Sequence, residues 1–207
     1  MLSKVILLLM APFFVFISES AYAVVVLDCN NGGRYEDMGD GTVQDCRTGL
    51  IWLQDANCKE NLGLTGIDKS SGNLNWHDAK EWIAALESGY CGLNDGSSAG
   101  DWRLPNKSEW MAMIAYARKQ IKLGAWTSPA LTNAAGTGNW TTNGDAFNNV
   151  QSAYYWSSTL NTVGSDLAWI ARLTDGDPGF AGDFTSPYYV WPVRGGQSGE
   201  FGKVIIQ

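Results

Sequence analysis

The stretch Asp101 to Arg118, DWRLPNKSEWMAMIAYAR, constrains the fold more than any other part of the chain. Pro105 has no N–H and a fixed φ, and it pushes Leu104 into an extended conformation, so Asp101 to Leu104 should arrive as a strand or extended segment. A helix should then begin at once. Asn106 can cap it by accepting a backbone N–H, and Glu109, three residues on, completes a capping-box-like pair, with Asn in place of the usual Ser or Thr. Trp110, Met113, Ile114, Ala117 and Ile121 follow at helical spacing, and Gly124 is placed to stop the helix.

Ahead of this unit the chain begins with a segment that reads as a secretory signal peptide, residues 1–23. Lys4 is its charged start, Val5 to Ile17 its apolar stretch, and Ala21, Tyr22 and Ala23 an A-x-A cleavage site. The alternative, an N-terminal membrane anchor, is disfavoured because the apolar run falls short of the ~20 residues that a bilayer span needs. Residues 24–207 then form one domain, long enough for a substantial core. Cys29, Cys46, Cys58 and Cys91 all lie in the exported part. An even count in an oxidising compartment argues for two disulfides; four cysteines allow three pairings, and Cys29 with Cys46 and Cys58 with Cys91 is the one expected. A metal site is the weaker reading, since no CxxC spacing occurs and His77 is the single histidine.

The formal net charge is −7 and the pI near 4.6, which makes nucleic acid and other polyanions poor partners for the chain as a whole. No second apolar span follows the signal, so no membrane insertion is expected after cleavage. Arg118, Lys119 and Lys122 form a short cluster on the polar side of the proposed helix and read as a solvated face.

Along the chain, Val24 to Leu27 reads as a first strand, Thr42 and Val43 as the start of a second, and Leu50 to Leu53 as a third after a turn at Thr48 and Gly49. Trp52 is expected in the core. Asn61 to Asn73 reads as a loop. Asn75 then caps a helix from Trp76 to about Glu87 that buries Trp76, Ala79, Trp82 or Ile83, and Leu86, with Gly89 ending it. His77 reads as a solvated side chain. From Gly124 to Asn149 the chain is polar and glycine-studded with no period, yet carries Trp126, Trp140 and Phe147; a loop of this length in a compact domain is either functional or disordered, and its aromatics argue for order. Three strands should close the domain, Tyr154 to Thr159, Leu167 to Leu173 and Tyr188 to Arg194.

WRLPNKSEW resembles the WRLPT-x-x-E-[LW] signature of the DUF1566 family, also called the Lcl C-terminal domain after a Legionella collagen-like adhesin. DGTVQDCRTGLIW, from Asp40, is similar to its opening D-G-T-V-x-D-x-x-T-G-L-x-W pattern. Tyr155 to Thr159 match its Y-W-S-S-T block, Ala168 and Trp169 its A-W strand start, Asp175 and Gly176 its D-G, and Val193 to Gly196 its terminal V-R-G-G. The ordered set runs from about Asp40 to Gly196. A more distant similarity links RLPNKSEW to the formylglycine-generating-enzyme and sulfatase-modifying-factor group. Both resemblances imply a C-type-lectin-like α+β fold, with two helices packed on a twisted antiparallel sheet and long loops. Trp102, Arg103, Leu104, Pro105, Glu109 and Trp156 are its structural signature, and Arg103 is expected to make buried hydrogen-bonded pairs.

The chemistry points away from catalysis. In the formylglycine-generating group a cysteine pair downstream of the RLP helix holds copper, whereas here every cysteine lies upstream; G-x-S-x-G and HExxH are absent, and a Ser/His/Asp triad would have to use His77. An oxidase-like enzyme is therefore the third reading. Ten Trp and eight Tyr in an exported domain suit stacking on sugars or gripping a protein. Trp126, Trp140 and Trp169 are the candidate ligand-binding rings, with Asp175, Asp177, Arg172 and Arg194 as candidate polar contacts. Asp175 and Asp177, with Asp183 and Asp166, offer the hard oxygens that Ca²⁺ takes, against a simple polar turn. The family implies surface attachment, and sulfated glycosaminoglycan binding in its Legionella member; an acidic domain has the wrong sign for that on average, so a local patch of Arg172, Arg194 and Lys203 would have to supply it. The expected function is non-catalytic recognition of a cell-surface glycan from the periplasm or cell surface, with an envelope protein as the alternative partner.

Overall fold

The computed structural model describes residues 29, 32–120, 128–141 and 145–195. The signal segment, Val24 to Leu27, Ile121, Lys122, Gly124, Trp126 and Lys203 lie outside these residues. The elements run β1 (Tyr35–Asp37), β2 (Thr42–Asp45), β3 (Leu50–Leu53), β4 (Asn73–Leu74), α1 (Trp76–Ala85), α2 (Lys107–Gln120), β5 (Tyr154–Leu160), β6 (Leu167–Arg172), β7 (Asp177–Asp183), β8 (Tyr188–Tyr189) and β9 (Val193–Gly195).

The anchor stretch folds as its residues dictate. Asn106 Oδ1 accepts the Glu109 N–H at 2.9 Å, and the Glu109 carboxylate accepts the Asn106 N–H at 2.7 Å, so the capping box closes reciprocally. Trp110, Met113 and Ile114 are buried. In α1, Asn75 caps by accepting from Asp78, and both Trp82 and Ile83 are buried with Trp76 and Ala79. This helix stops at Ala85, two residues before the expected end, because Leu86 turns to extended φ/ψ and drops into the core.

The expected single antiparallel sheet is two sheets. One runs β1-β2-β3-β9 and is antiparallel throughout; the other runs β4-β8-β5-β6-β7, with a parallel step between β5 and β8. The expected strand Tyr188 to Arg194 divides between them. Pro192 cannot donate to a ladder, and the break lets Trp191 turn inward, where its Nε1 donates to the Leu53 carbonyl at 2.8 Å. β1, β4 and β7 went unread in the sequence, the last because Pro178, Gly179 and Gly182 hide its alternation.

Trp191 is the hub of the core. Its ring lies 5.3 Å from Trp52 of β3, 5.9 Å from Trp110 of α2, 5.7 Å from Tyr155 of β5 and 4.9 Å from Phe147. Both sheets and α2 thus share one aromatic cluster, and edge-to-face pairs of this kind add to the area they bury. Under the first hairpin Arg34 and Asp45 form a fully buried ion pair at 2.6 Å. The disulfides are Cys29–Cys46 and Cys58–Cys91, with Cα–Cα distances of 5.5 and 5.6 Å. Two such bonds indicate an oxidising, extracellular or periplasmic setting. Among the described residues no helix is long and apolar enough to cross a membrane.

Candidate ligand-binding cleft

The structure brings together only part of the residues singled out from the sequence. Arg172, at the end of β6, binds Asp175 through Nε at 2.6 Å and reaches Asp177 through Nη2 at 3.3 Å. Slight burial works against ionisation of Asp175, but the hydrogen bonds from Arg172 and the Asp177 N–H outweigh it and hold the carboxyl below the usual range. The cation between Asp175 and Asp177 is thus Arg172 itself. Asp183 pairs in register with Leu167, next to Asp166, at the other end of β6 and β7. Six residues of strand, about 20 Å, separate the two acidic pairs, so the four aspartates do not form one cage.

Arg194 belongs to the other sheet. It pairs with Asp95 at 2.8 Å and lies over Trp102 at 5.3 Å, a structural position that does not adjoin Arg172 in either ladder. Arg103, expected to make buried hydrogen-bonded pairs, pairs with Glu109, which is buried, but its own side chain is 43 % exposed. Trp140 is half-buried against the core, its Nε1 donating to the Phe147 carbonyl at 3.2 Å. Trp169 is half-buried beneath the Lys107 ammonium, 3.2 Å from its ring centroid. Among the described residues seven tryptophans are buried, so their aromatic content is mostly core.

A concave site lies elsewhere. A cleft of about 910 Å³ is formed by Gln54 to Glu60 after β3, Cys91 and Gly92 between the helices, Asn148 to Gln151 before β5, and Tyr189 of β8. Its frame is rigid for identifiable reasons. The Cys58–Cys91 disulfide ties two walls. The Ala56 N–H donates to the Asn148 carbonyl and the Asn148 N–H to the Gln54 carbonyl, each at 2.9 Å, which ties a third. Gly41 has φ 84°, and a Cβ there would sit 2.3 Å from the Gly92 carbonyl oxygen, so the backbones touch where only glycine fits. Asn149 adopts a left-handed φ of 54°, which Asn tolerates better than most residues.

The lining is polar. Asp55 Oδ1 accepts from the Asn57 N–H and from the Asn149 side-chain amide, both at 3.0 Å. Glu60 Oε1 accepts the Cys91 N–H at 2.9 Å. The Gln151 amide donates to the Asn149 carbonyl at 2.7 Å. Tyr189 is half-buried and packs 5.5 Å from Tyr155, which fixes its ring. Behind the wall Lys69 is completely buried, its Nζ donating to the carbonyls of Cys58 at 2.9 Å and Gly72 at 2.6 Å, and 4.9 Å from the Trp82 ring. Burial lowers the Lys69 ammonium to about 7; Asp55 opposes that shift and Lys59 adds to it. The chemistry available in the cleft is hydrogen bonding and ring contact on a pre-formed surface, which is what polar ligand sites use for orientation and specificity.

Sequence reasoning did not pick out Asp55, Asn57, Asn148, Asn149, Gln151 or Tyr189. Two amide-rich runs, QDAN from Gln54 and NNVQ from Asn148, mark the end of one strand and the approach to another, and they were the available signal. The last residues of the long loop, Asn148 and Asn149, line the cleft.

A family model described as the Lcl C-terminal domain matches residues 41–194. No curated protein and no solved structure matches the chain.

Proposed function

Because the chain belongs to the Lcl C-terminal domain family, we propose that it is an exported, non-catalytic recognition domain whose polar cleft binds a cell-surface glycan. The observation that carries this is the cleft, a rigid cavity where carboxylates and amides from separate segments converge beside the ring of Tyr189. Sugars present hydroxyls to such groups and a C–H face to such a ring. The C-type-lectin-like architecture implied by the sequence resemblance agrees with this reading, as do loops carrying the ligand groups on a sheet frame. All four cysteines are in disulfides, which speaks against a cysteine-based oxidase.

One surface favours the alternative, an envelope protein partner. Tyr154 and Phe180, 40 % and 46 % exposed, flank Arg172, whose guanidinium lies 4.4 Å from the Phe180 ring, and Tyr188 packs against Tyr154. A glycan array on the purified chain separates the two readings. The cleft reading expects saturable binding that Tyr189→Ala and Asn149→Ala abolish and Phe180→Ala leaves intact. Silence of a folded sample on every glycan would sink it and favour the protein partner.

A further inference from the structure

Resting on the reading of the cleft as a glycan site, we infer that its ligand is a neutral, hydroxyl-rich oligosaccharide and not a sulfated or otherwise anionic one. Two carboxylates of the cleft lining, Asp55 and Glu60, each keep one oxygen open as an acceptor. Asp55 uses Oδ1 for Asn57 and Asn149, and Glu60 uses Oε1 for Cys91. Among the described residues no hydrogen bond uses Oδ2 of Asp55 or Oε2 of Glu60. An ionised carboxylate accepts only. Neutral sugars carry hydroxyl donors for these oxygens, whereas a sulfate group brings acceptors and like charge, and juxtaposed like charges oppose binding.

Seven of the described cations already have partners. Arg34, Arg103, Arg172 and Arg194 each hold a carboxylate. The Lys80 and Lys107 ammonium groups lie over Trp76 and Trp169, and Lys69 is sealed behind the wall on two carbonyls. Lys59 alone is a lysine or arginine among the residues that line the cleft. Anionic chains bind through clusters of such groups, and the described lining of the cleft offers only one such group. A volume of about 910 Å³ is at the upper end of ordinary small-ligand sites, which suits several sugar rings better than one.

Calorimetric titration of the purified chain tests this with three probes: an uncharged hexose oligosaccharide series, an N-acetylhexosamine series and a heparin oligosaccharide, each at low and high salt. The inference expects binding of an uncharged series that changes less than about twofold with salt, falls about tenfold in Glu60→Gln or Asp55→Asn, and persists in Lys59→Ala. Glu60→Gln keeps the acceptor for the Cys91 N–H and guards against loss of fold. Preferential heparin binding that weakens steeply with salt and is lost in Lys59→Ala would overturn the inference while leaving glycan recognition standing. A folded protein that binds none of the three would overturn both.

Discussion

Arg103 and Glu109 face each other across the entry to α2 in a two-armed pair, Nη1 2.8 Å from Oε2 and Nη2 2.6 Å from Oε1. The same carboxylate closes the capping box with Asn106, and the same guanidinium reaches the Gly195 carbonyl at 3.2 Å. Arg103 and Val193 also exchange both backbone hydrogen bonds at 2.9 Å. One ion pair thus couples the start of a helix to the last strand of the other sheet, at residues 92 positions apart.

Glu109→Ala should therefore cost more than a lost cap, because it also strands Arg103. Since the guanidinium is 43 % exposed and can be rehydrated, the expected loss is about 2 kcal/mol, below the range for a wholly buried pair. Asn106→Ala, which removes the cap alone, should cost about 1 kcal/mol. Urea unfolding of both variants decides it; equal losses would mean that the ion pair contributes nothing beyond capping.

Gly41→Ala should destabilise by about 2 kcal/mol or more, since its φ of 84° and the Gly92 carbonyl both reject a Cβ. Gly39→Ala, with φ 73° and no neighbour within 4 Å, is the control for backbone strain alone. Thermal melts giving the two variants equal midpoints would remove the close contact from the explanation.

Opening the Cys58–Cys91 bond by a double Ala substitution releases a crosslink across 33 residues of chain. The loss expected from loop entropy is about 3–4 kcal/mol. Because both cysteines line the cleft, ligand affinity should fall even where the domain remains folded by circular dichroism. Unchanged affinity would show that the wall does not depend on the bond.

Lys69 should give the domain a distinctive pH profile. Burial lowers it to about 7, while the unfolded chain keeps that proton up to the ordinary lysine value. Between those values the unfolded state binds more protons, so stability rises with pH through the window; below about 7 both states are protonated and the contribution levels off. Urea midpoints from about pH 6 to about pH 9 should climb in the native sequence and lose that climb in Lys69→Met. Identical slopes would refute the assignment.

Calcium should not bind between Asp175 and Asp177, where Arg172 already sits. Titration with millimolar Ca²⁺ is expected to produce neither heat nor a shift in melting temperature. A shift that vanishes in Asp175→Asn would reverse this view.

How much was legible beforehand follows from how local each signal is. The capping box of Asn106 and Glu109, the turn at Thr48 and Gly49, and the burial of Trp52 depend on neighbours a few residues away, and the structure has them as read. The split of Tyr188 to Arg194 between two sheets depends on where Trp191 finds its partners, and those lie in β3, α2 and β5. The acidic quartet illustrates the same limit: Asp175 and Asp183 are near in sequence, but an extended strand carries them apart.

The sequence by itself determined the family pattern from Gly41 to Arg194, the export-compatible cysteine set and the helix that follows Pro105, because periodicity, caps and prolines act on adjacent backbone. Only the tertiary structure decided which polar residues share a surface. Asp55, Glu60, Asn149 and Tyr189 are spread over more than a hundred positions and meet because a disulfide, a glycine contact and a strand crossing hold their segments together. Nothing in the local chemistry of any one of them encodes that meeting.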